Sequence, residues 1–588
     1  MEIRRRAFIG SAAARAAMPG WSADEKPLFK VGFMTDTHVG TTKKSCERVK
    51  GAFAVFKAQG CEAIVHCGDL ADWHYEKGYQ YYLEELEAAF PPGMANRPQF
   101  LYVLANHDVL DPKRKDPKLR ATRGMDHDVA FKDMCARLKI DHWYFEQRDL
   151  HGYPILVFPQ TISHVGGYEE MEKKIAKACA DYPGKPVFVC THQPSIDTCY
   201  NSGAWGDAQL RRVMNKFPQV VQFNGHTHGS LRNEMSVWQG EFTAVDVCCL
   251  QEWHGVSVGT PLKGKQAYGV VVMEVFPSRL VLRRYDVRDG SELFPDRPWV
   301  VPLPYDRATA PLTVERRAKT ARPGRFAPGA KLECAPDATP FTSVKLAFPA
   351  VENEEDVESY RIEIARQGAD GGWEKFACCD MFSGFYMRPQ DRKGVHERTI
   401  SSAYLDNANA EYRFTVTPMG FFGTLGKPLE TVWKTPEKKP VKVLWSCDNP
   451  MEELDFRYGS PRNDAQMRAA KKVPLCDGWY VPTTQAWLML KRGVWNNIKQ
   501  GTNIRLIAEM SFDQPEFLEA WNLYLRVNDG TSRSIPGGWT STPEGKTAIF
   551  RYVVEAKMPT PGLDYGISFA RGHGGKVRFR SVRIEQVD

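Results

Sequence analysis

The sequence lacks any continuous run of about 20 apolar residues, the length that a membrane-spanning helix needs. It also lacks a strong charge of either sign, because 78 basic residues oppose 71 acidic ones and leave a net charge of +7 over 588 residues. So slight a balance gives no electrostatic footprint for nucleic acid. We therefore expect neither a transmembrane span nor a nucleic-acid partner.

The 14 cysteines include no pair with C-x-x-C spacing. This excludes the usual thiolate zinc knuckle. Cys61, Cys67, Cys190 and Cys248 lie in or beside apolar, strand-like runs, where a free cysteine behaves as a small hydrophobic residue. The placement predicts mostly reduced thiols rather than a disulfide framework.

The N-terminus, residues 1–26, reads MEIRRRAFIGSAAARAAMPGWSADEK. Arg5 and Arg6, followed by a short apolar stretch and small residues, resemble a twin-arginine export signal. The alternative is a disordered basic tail. On the first interpretation the protein is exported, to the periplasm or the cell surface of a bacterium.

The length predicts two to four domains. Short β-branched runs alternate with helical stretches in residues 27–304, which is typical of an α/β domain. Residues 305–330 are rich in proline and basic residues and indicate a linker. The strand-like runs of residues 313–436 and 441–588 predict two all-β sandwich domains. The fold class is therefore a multidomain chain, α/β followed by two β-sandwiches.

The segment YRFTVTPMGFFG, residues 412–423, resembles the closing strands of fibronectin type III domains. The resemblance covers about one hundred residues and implies a fibronectin-like sandwich for residues 313–436. Residues 441–588 alternate inward and outward positions as a jelly roll does.

Polar side chains follow five of the apolar runs in the first domain, at the point where each run ends. They are Asp36 and His38 after FKVGFMT, Asp69 and Asp72 after EAIVHC, Asn106 and His107 after QFLYVLA, His192 after KPVFVCT, and His226 and His228 after VVQFNG. The carboxyl ends of strands in an α/β sheet converge on one crevice. The five motifs are therefore predicted to form a single site.

Imidazole and carboxylate groups without thiolate suit metals such as zinc, manganese and iron. Two ions about 3.5–4 Å apart need a carboxylate that can bridge them, and Asp69 is our candidate. His226 and His228 can then serve one ion each, since alternate residues of an extended turn reach adjacent positions. Gly225, which precedes them, allows the backbone to come close.

The order D-x-H, G-D-x-x-D, N-H-D, H and G-H-x-H, each at a strand end, resembles the calcineurin-like metallophosphoesterase family over roughly the first 250 residues of the mature chain. The resemblance implies two ions, divalent or mixed-valence (Mn, Fe or Zn), and a phosphate-ester substrate. It assigns the ligands of one ion as Asp36, His38, Asp69 and His228, and those of the other as Asp69, Asn106, His192 and His226.

The resemblance also implies the mechanism. By this resemblance, a hydroxide held between the two ions would attack phosphorus, and His107 would stabilise the transition state or protonate the leaving oxygen. Asp72 would pair with His107 and raise its pKa. The expected activity is hydrolysis of phosphodiester or phosphomonoester bonds.

Three positions differ from the motifs of related families, and they bear on which branch of the metallophosphoesterases the chain resembles. Ala105 stands where the family's asparagine motif usually begins with glycine, and Trp73 stands where protein Ser/Thr phosphatases carry an arginine. Purple acid phosphatases have a metal-binding tyrosine at the position of Asp72. The pattern is most similar to the cyclic-nucleotide phosphodiesterase branch.

Two other classes of function remain open. The chain can be a surface glycan-binding or adhesion protein with a vestigial metal site, in which tryptophans of the last domain stack on sugars; these are Trp479, Trp487, Trp495, Trp521 and Trp539. Large aromatic residues of a β-sandwich more commonly belong to its core. A nuclease of the same superfamily predicts a strongly basic face, which the slight net charge disfavours.

Overall fold

The computed structural model describes most of the chain between residues 25 and 436, and beyond it the strands named below together with residues 498–502. Within 25–436 the residues left out are 41, 73–75, 110–126, 141–144, 252–267, 338–342, 369, 401–404, 406–408. Residues 1–24 of the segment that resembles an export signal lie outside the described residues.

Two mixed sheets form the centre of the first domain. Their strands are β1 (Phe29–Met34), β2 (Ala63–His66), β3 (Gln99–Tyr102), β4 (Glu146–Leu150), β5 (Tyr153–Val157), β6 (Val187–Cys190), β7 (Val220–Asn224), β8 (Val237–Gln239), β9 (Thr243–Asp246), β10 (Gly269–Phe276), β11 (Arg279–Asp286), β12 (Glu292–Leu293) and β13 (Trp299–Pro302). One sheet has the order β12-β11-β10-β1-β2-β3, with β13 beside β11, and the other has the order β4-β5-β6-β7-β9-β8.

Parallel pairing is confined to the strands that precede the polar motifs and to their neighbours. β1, β2 and β3 pair in parallel in the first sheet, as do β5, β6, β7 and β9 in the second. Parallel strands present their carboxyl ends at one edge. Each sheet therefore offers one row of loops, and both rows contribute to the site described below.

The inner faces of the two sheets share one apolar core. The rings of Phe33 on β1 and Phe223 on β7 stack with centroids 3.7 Å apart, and Val31, Phe188 and Val221 belong to the same buried cluster. β-Branched and aromatic residues suit such a pleated, two-sided interior. Packing of the sheets against each other fixes where β1–β3 end relative to β6 and β7.

Helices cover the outer faces of both sheets. They are α1 (Glu47–Gln59), α2 (Glu76–Ala89), α3 (His127–Leu138), α4 (Gly167–Asp181), α5 (Ser202–Trp205) and α6 (Ala208–Met214). Val49, Phe53 and Phe56 recur at helical spacing and form the buried face of α1. A further helix, α7 (Val314–Thr320), lies in the segment interpreted as a linker, and Arg317 on it donates to Val237 O at 2.7 Å.

Two antiparallel sheets follow in the second region. Their strands are β14 (Glu333–Pro336), β15 (Val344–Pro349), β16 (Val357–Gln367), β17 (Trp373–Phe382), β18 (Val395–Ile400), β19 (Glu411–Gly420) and β20 (Leu429–Lys434), in the orders β14-β15-β18 and β17-β16-β19-β20. Leu346 and Phe348 of the first sheet share a core with Tyr360, Ile362 and Phe414 of the second.

A buried ion pair lies at the edge of this core. Glu354 Oε1 accepts from His396 Nε2 at 2.6 Å, from Gly384 N at 3.0 Å and from Tyr360 OH at 3.2 Å. Burial opposes the charged form of Glu354, but the hydrogen bond and the charge of His396 lower its pKa below the ordinary value. The carboxylate of Glu354 therefore binds a proton less readily in the folded chain than in the unfolded chain.

We expect Glu354→Gln to lose stability at neutral pH and to lose progressively less as the solution is acidified. A carboxylate whose pKa falls on folding stabilises the protein above its unfolded pKa, and this contribution disappears as the pH falls through the folded value. Melting temperatures of the wild type and of E354Q, measured from about pH 6 to about pH 3, should converge at the acidic end. A constant difference would contradict the assignment.

Apart from residues 498–502, the described residues of the third region are all in strands. They are β21 (Val441–Cys447), β22 (Leu454–Tyr458), β23 (Arg468–Ala469), β24 (Leu475–Cys476), β25 (Trp479–Tyr480), β26 (Ala486–Leu490), β27 (Asn503–Phe512), β28 (Tyr524–Asn528), β29 (Arg533–Pro536), β30 (Gly538–Glu544), β31 (Thr547–Lys557), β32 (Asp564–Ser568) and β33 (Val577–Val587). They form sheets of seven and six strands. The tryptophan side chains considered for sugar stacking lie outside the described part of the region.

The α/β class predicted for the first domain is confirmed, and the later regions are rich in β-strands as predicted. Their assignment as fibronectin-like and jelly-roll sandwiches stays a prediction, as do the domain boundaries. Ten cysteines of the described residues are free thiols, as their placement in apolar runs predicts. No helix of the described ranges combines the length and hydropathy that crossing a membrane requires.

Candidate metal centre

The five polar motifs meet at one end of the two sheets. Asp36 and His38 follow β1, Asp69 and Asp72 follow β2, and Asn106 and His107 follow β3, whereas His192 follows β6 and His226 and His228 follow β7. The seven-stranded sheet thus supplies the first three motifs and the six-stranded sheet the last two. The structure brings together all nine residues singled out from the sequence.

Asp36, His38 and His228 form one cluster of potential metal ligands. His228 Nε2 lies 3.1 Å from Asp36 Oδ1 and 3.1 Å from His38 Nε2. His38 Nε2 is 3.6 Å from the same Asp36 oxygen. Two imidazole nitrogens and a carboxylate oxygen therefore point at a common volume.

Asp69, His192 and His226 form a second cluster. His192 Nε2 lies 3.2 Å from Asp69 Oδ2 and 3.1 Å from His226 Nδ1. Asp69 Oδ2 also lies 3.7 Å from His38 Nε2 in the first cluster. The carboxylate of Asp69 is therefore shared between the two clusters, the position that a bridging ligand requires.

A backbone hydrogen bond orients the ring of His192. Its Nδ1 lies 2.9 Å from Cys67 O and can only donate there, so Nε2 is left to face Asp69. A second hydrogen bond of this kind is usual for metal-binding histidines. Burial opposes protonation of His192, but the carboxylates of Asp69 and Asp36 raise its pKa to about 9. The two acids thus create a site that attracts positive charge.

The pKa values of two other candidate ligands, Asp36 and His226, are also shifted. Burial works against the carboxylate of Asp36, yet His228 and His192 hold its pKa well below the ordinary value. Burial and the neighbouring His192 lower the pKa of His226 to about 3. An ionised carboxylate and a neutral imidazole are the protonation states that bind metal.

Two buried oxygen atoms indicate that the residues suit metal ions. Asp36 Oδ1 and Asn106 Oδ1 are fully buried and accept no hydrogen bond within the described structure. A buried oxygen without a partner costs about 1–3 kcal/mol, and a coordinated cation would remove that cost. Oxygen and imidazole donors without thiolate fit Zn, Mn or Fe.

Several candidate ligands have a left-handed backbone. Asp36, His38, Asp69, His226 and His228 have φ values of 49°, 40°, 54°, 69° and 49°. For residues other than glycine this conformation is uncommon and is retained where the surrounding structure imposes it. Such residues concentrate at functional sites, and here they are candidate metal ligands.

The surroundings of Gly225 explain why a glycine precedes the two histidines of the last motif. A Cβ atom at this position would lie 2.1 Å from Thr35 Oγ1 and 2.4 Å from Asp36 Oδ2. The backbone N–H of His226 donates to the same Asp36 oxygen at 2.9 Å. Absence of a side chain therefore allows β7 to approach the ligand that follows β1.

His107 lies beside the two clusters. Its Nδ1 is 3.1 Å from Asp72 Oδ1, and its ring contacts the ring of His38 edge-on at 4.4 Å. Burial disfavours the imidazolium ion, but the hydrogen bond to Asp72 and the charge of Asp69 raise the pKa of His107. Its ring nitrogen also falls within a third cluster, with His38 and Asp69.

Asp108 is a structural residue of the site that the sequence analysis missed. Its Oδ1 accepts from the backbone N–H groups of Leu70 and Ala71 at 3.0 and 3.1 Å, and its Oδ2 accepts from those of Asp69 and Ala105 at 3.1 Å. One buried carboxylate thus holds the loops after β2 and β3 together. The available signal was its place directly after Asn106 and His107.

We expect Asp108→Asn to destabilise the protein by about 3 kcal/mol, because an amide group would replace one acceptor oxygen and leave two buried N–H groups without a partner. Chemical unfolding of the full chain measures the loss. Asp149→Asn is the matched control, since exposed Asp149 accepts a single backbone N–H, from Gly152 at 2.8 Å. Equal stability of the two variants would contradict the role given to Asp108.

Three further side chains surround the candidate ligands. Gln160 Oε1 accepts from Asn106 N at 2.7 Å, and Gln251 Nε2 donates to Thr37 O at 2.6 Å. The ring of Trp205 meets that of His226 edge-on at 5.4 Å. All three come from segments outside the five motifs, which is why periodicity and spacing did not reveal them.

Comparison with known proteins agrees with this geometry. Residues 29–230 match the family described as calcineurin-like phosphoesterase. No curated protein matches the chain.

Two solved structures show low similarity. A purple acid phosphatase isolated from yellow lupin (Lupinus luteus) seeds is 15% identical, with a TM-score of 0.31 over 46% of this chain and 53% of that one. The chain thus spans about half the length of the lupin protein. A conserved uncharacterised protein of Streptococcus pneumoniae, described as a predicted phosphoesterase, is 10% identical, with a TM-score of 0.22 over 47% of this chain and 97% of that one.

Proposed function

We propose that the chain is a dimetal-dependent phosphoesterase that hydrolyses phosphodiester or phosphomonoester bonds. The observation that carries the proposal is the placement of Asp69 between two facing pairs of imidazole nitrogens. Those pairs are His38 with His228 and His192 with His226, each with nitrogens 3.1 Å apart. A site of this kind suits two cations held side by side.

The ligand assignment follows the two clusters. Asp36, His38 and His228 would hold one ion and His192, His226 and Asn106 the other, with Asp69 shared. Two bound ions would supply a nucleophile from water at neutral pH and neutralise charge on the phosphoryl oxygens. The donor set fits Mn, Fe or Zn, so availability in the cell decides among them.

His107 and Asp72 perform the proton transfer in this proposal. The contact with Asp72 occupies Nδ1, so Nε2 is the nitrogen that donates a proton to the leaving alcohol. Burial opposes the charged ring, but the hydrogen bond to Asp72 and the charge of Asp69 raise the pKa of His107, which favours the protonated ring that a general acid needs. General acid catalysis of this kind contributes about 10²–10⁴-fold to the rate.

Within the family we place the chain in the cyclic-nucleotide phosphodiesterase-like branch. Asp72 supports this choice, because its Oδ1 contacts His107 and it belongs to none of the ligand clusters found among the described residues. It therefore does not act as the metal-binding tyrosine of purple acid phosphatases does. Trp73, which stands where protein Ser/Thr phosphatases carry an arginine, lies outside the described residues.

The test compares bis-p-nitrophenyl phosphate with p-nitrophenyl phosphate as substrates of the full chain. The protein is stripped with a chelator, reloaded with Mn²⁺ and assayed in both states. Turnover that disappears on chelation and returns with Mn²⁺ supports the proposal, and the faster substrate distinguishes a diesterase from a monoesterase. A fully Mn²⁺-loaded protein that hydrolyses neither ester would overturn it.

The export signal and the two later domains complete the proposal. We place the protein in the periplasm or on the cell surface of a bacterium, because Arg5 and Arg6 form the twin-arginine-like pair. The two later regions are then a fibronectin type III-like domain and a jelly-roll-like domain. Cell fractionation of an Arg5→Lys, Arg6→Lys variant tests the location, and export that survives both substitutions would contradict it.

A further inference from the structure

The turn that carries His226 and His228 continues into a buried segment. Residues 227–233 are all buried, and Asn233 is 0% and Arg232 3% exposed. Polar side chains this deep need partners. Arg232 and Asn233 find theirs in the second region of the chain.

Asn233 joins the two regions through hydrogen bonds. Its Nδ2 donates to Tyr386 OH at 3.0 Å and to Glu358 Oε1 at 3.3 Å, and Tyr386 OH donates to the same Glu358 oxygen at 3.2 Å. Asn233 Oδ1 accepts from Met235 N at 2.7 Å. The side chain of Asn233 is thus hydrogen-bonded both to its own turn and to the second region.

Arg232 makes a second connection. Its Nε donates to Phe385 O, and its guanidinium group lies 4.5 Å from the ring of Phe294 and 4.9 Å from that of Phe385. Phe385 and Phe294 stack on each other, with centroids 5.5 Å apart. The cation is therefore enclosed by aromatic rings from both regions.

The loop that follows His192 reaches the same contact surface. Tyr200 packs on the apolar cluster formed by Phe385, Tyr386 and neighbouring residues. Its backbone N–H donates to Met235 O at 3.0 Å, which ties it to the segment that follows His228. Both loops contributed by the six-stranded sheet to the metal centre therefore rest on the second region.

We propose that Asn233 and Tyr386 are positioning residues of the metal centre, through which the second region holds the turn that carries His226 and His228. The inference rests on the proposed function, since it assumes that these histidines bind metal. Asn233 is separated from His228 by four residues, and both histidines have a left-handed backbone that neighbouring contacts must maintain. Groups hydrogen-bonded directly to metal ligands are worth about 10–100-fold in metal affinity, and for residues that hold the backbone of the ligand turn we expect the lower end of that range.

The experiment uses Tyr386→Phe in the full chain, since this change removes one hydroxyl and keeps the ring in its apolar cluster. Tyr360→Phe is the matched control. Tyr360 is a buried tyrosine of the same region, and its hydroxyl donates to Glu354 at 3.2 Å and accepts from Val351 N at 3.2 Å. Calorimetric titration with Mn²⁺ gives stoichiometry and affinity, and thermal unfolding gives stability.

We expect both variants to lose stability and only Y386F to lose affinity for Mn²⁺, by about 10-fold for the weaker of two sites. Its kcat should fall at limiting Mn²⁺ and recover when Mn²⁺ is in excess, while KM stays unchanged. Asn233→Ala should give a similar or larger loss of affinity. Wild-type affinity in Y386F and N233A, or an equal loss in Y360F, would overturn the inference.

Failure of the proposed function gives a different result. If the wild type binds two Mn²⁺ ions but hydrolyses neither ester, the function fails, and the change in affinity still decides the role of Asn233 and Tyr386. If the wild type binds no Mn²⁺, both are overturned.

Discussion

Replacing His107 with alanine is expected to lower kcat by about 10²–10⁴-fold, the usual contribution of a general acid. The side chain lies beside both ligand clusters, Asp72 holds its Nδ1 at 3.1 Å, and its pKa is raised. Steady-state kinetics of the Mn²⁺-loaded protein measure the loss. KM should change little, because a proton donated in the transition state does not contribute to binding of the substrate.

The leaving group distinguishes proton donation from simple charge stabilisation. An alkyl leaving group needs a proton more than p-nitrophenolate does, so H107A should lose more activity on an alkyl phosphoester than on a p-nitrophenyl ester. His151→Ala is the control, since exposed His151 also pairs with a carboxylate, that of Glu62 at 2.8 Å. Equal losses on the two substrates would assign His107 to charge stabilisation alone.

The second large effect is expected for Asp69→Asn. The amide preserves shape and can still accept the hydrogen bond that His107 N donates to Asp69 Oδ1 at 2.9 Å, but the negative charge between the clusters is lost. Changes to residues that only support ligands cost about 10–100-fold in metal affinity, so loss of a shared ligand should exceed about 100-fold. Titration with Mn²⁺ should show one ion or none in place of two.

Asp72→Asn is the matched control for this variant. It makes the same chemical change within the same site, at a carboxylate outside the ligand clusters found in the described structure. D72N should bind two Mn²⁺ ions with nearly wild-type affinity and lose part of its kcat. If D69N also binds both ions normally, Asp69 does not bridge them.

The candidate ligands could be predicted because their signal is local. Each motif directly follows an apolar run. Residues that follow the strands of an α/β sheet lie at one edge of that sheet, so the motifs can be placed near one another from the sequence. Ala105 shows how such a pattern tolerates variation. A Cβ atom on Gly68 would lie 2.6 Å from that of Ala105, so the glycine of the neighbouring loop accommodates the extra methyl group.

The remaining features depend on contacts between distant parts of the chain. Asp108 binds backbone groups of a loop 37–39 residues earlier, and Asn233 meets a tyrosine 153 residues later. Backbone N–H groups have no sequence signature, and neither does the surface on which a loop packs. Left-handed angles at Asp36 or His228 are likewise imposed by the assembled fold, because the intrinsic preference of these residues opposes them.

The distribution of the candidate ligands over two sheets has a consequence for the lifetime of the protein. Ions held by residues after β1–β3 on one side and after β6 and β7 on the other would be cross-links between the two halves of the first domain. Binding that requires the folded state protects it in proportion to the ion concentration. Scarcity of metal would then weaken the first domain and expose its interior to proteases, so that the amount of intact protein would follow the supply of metal.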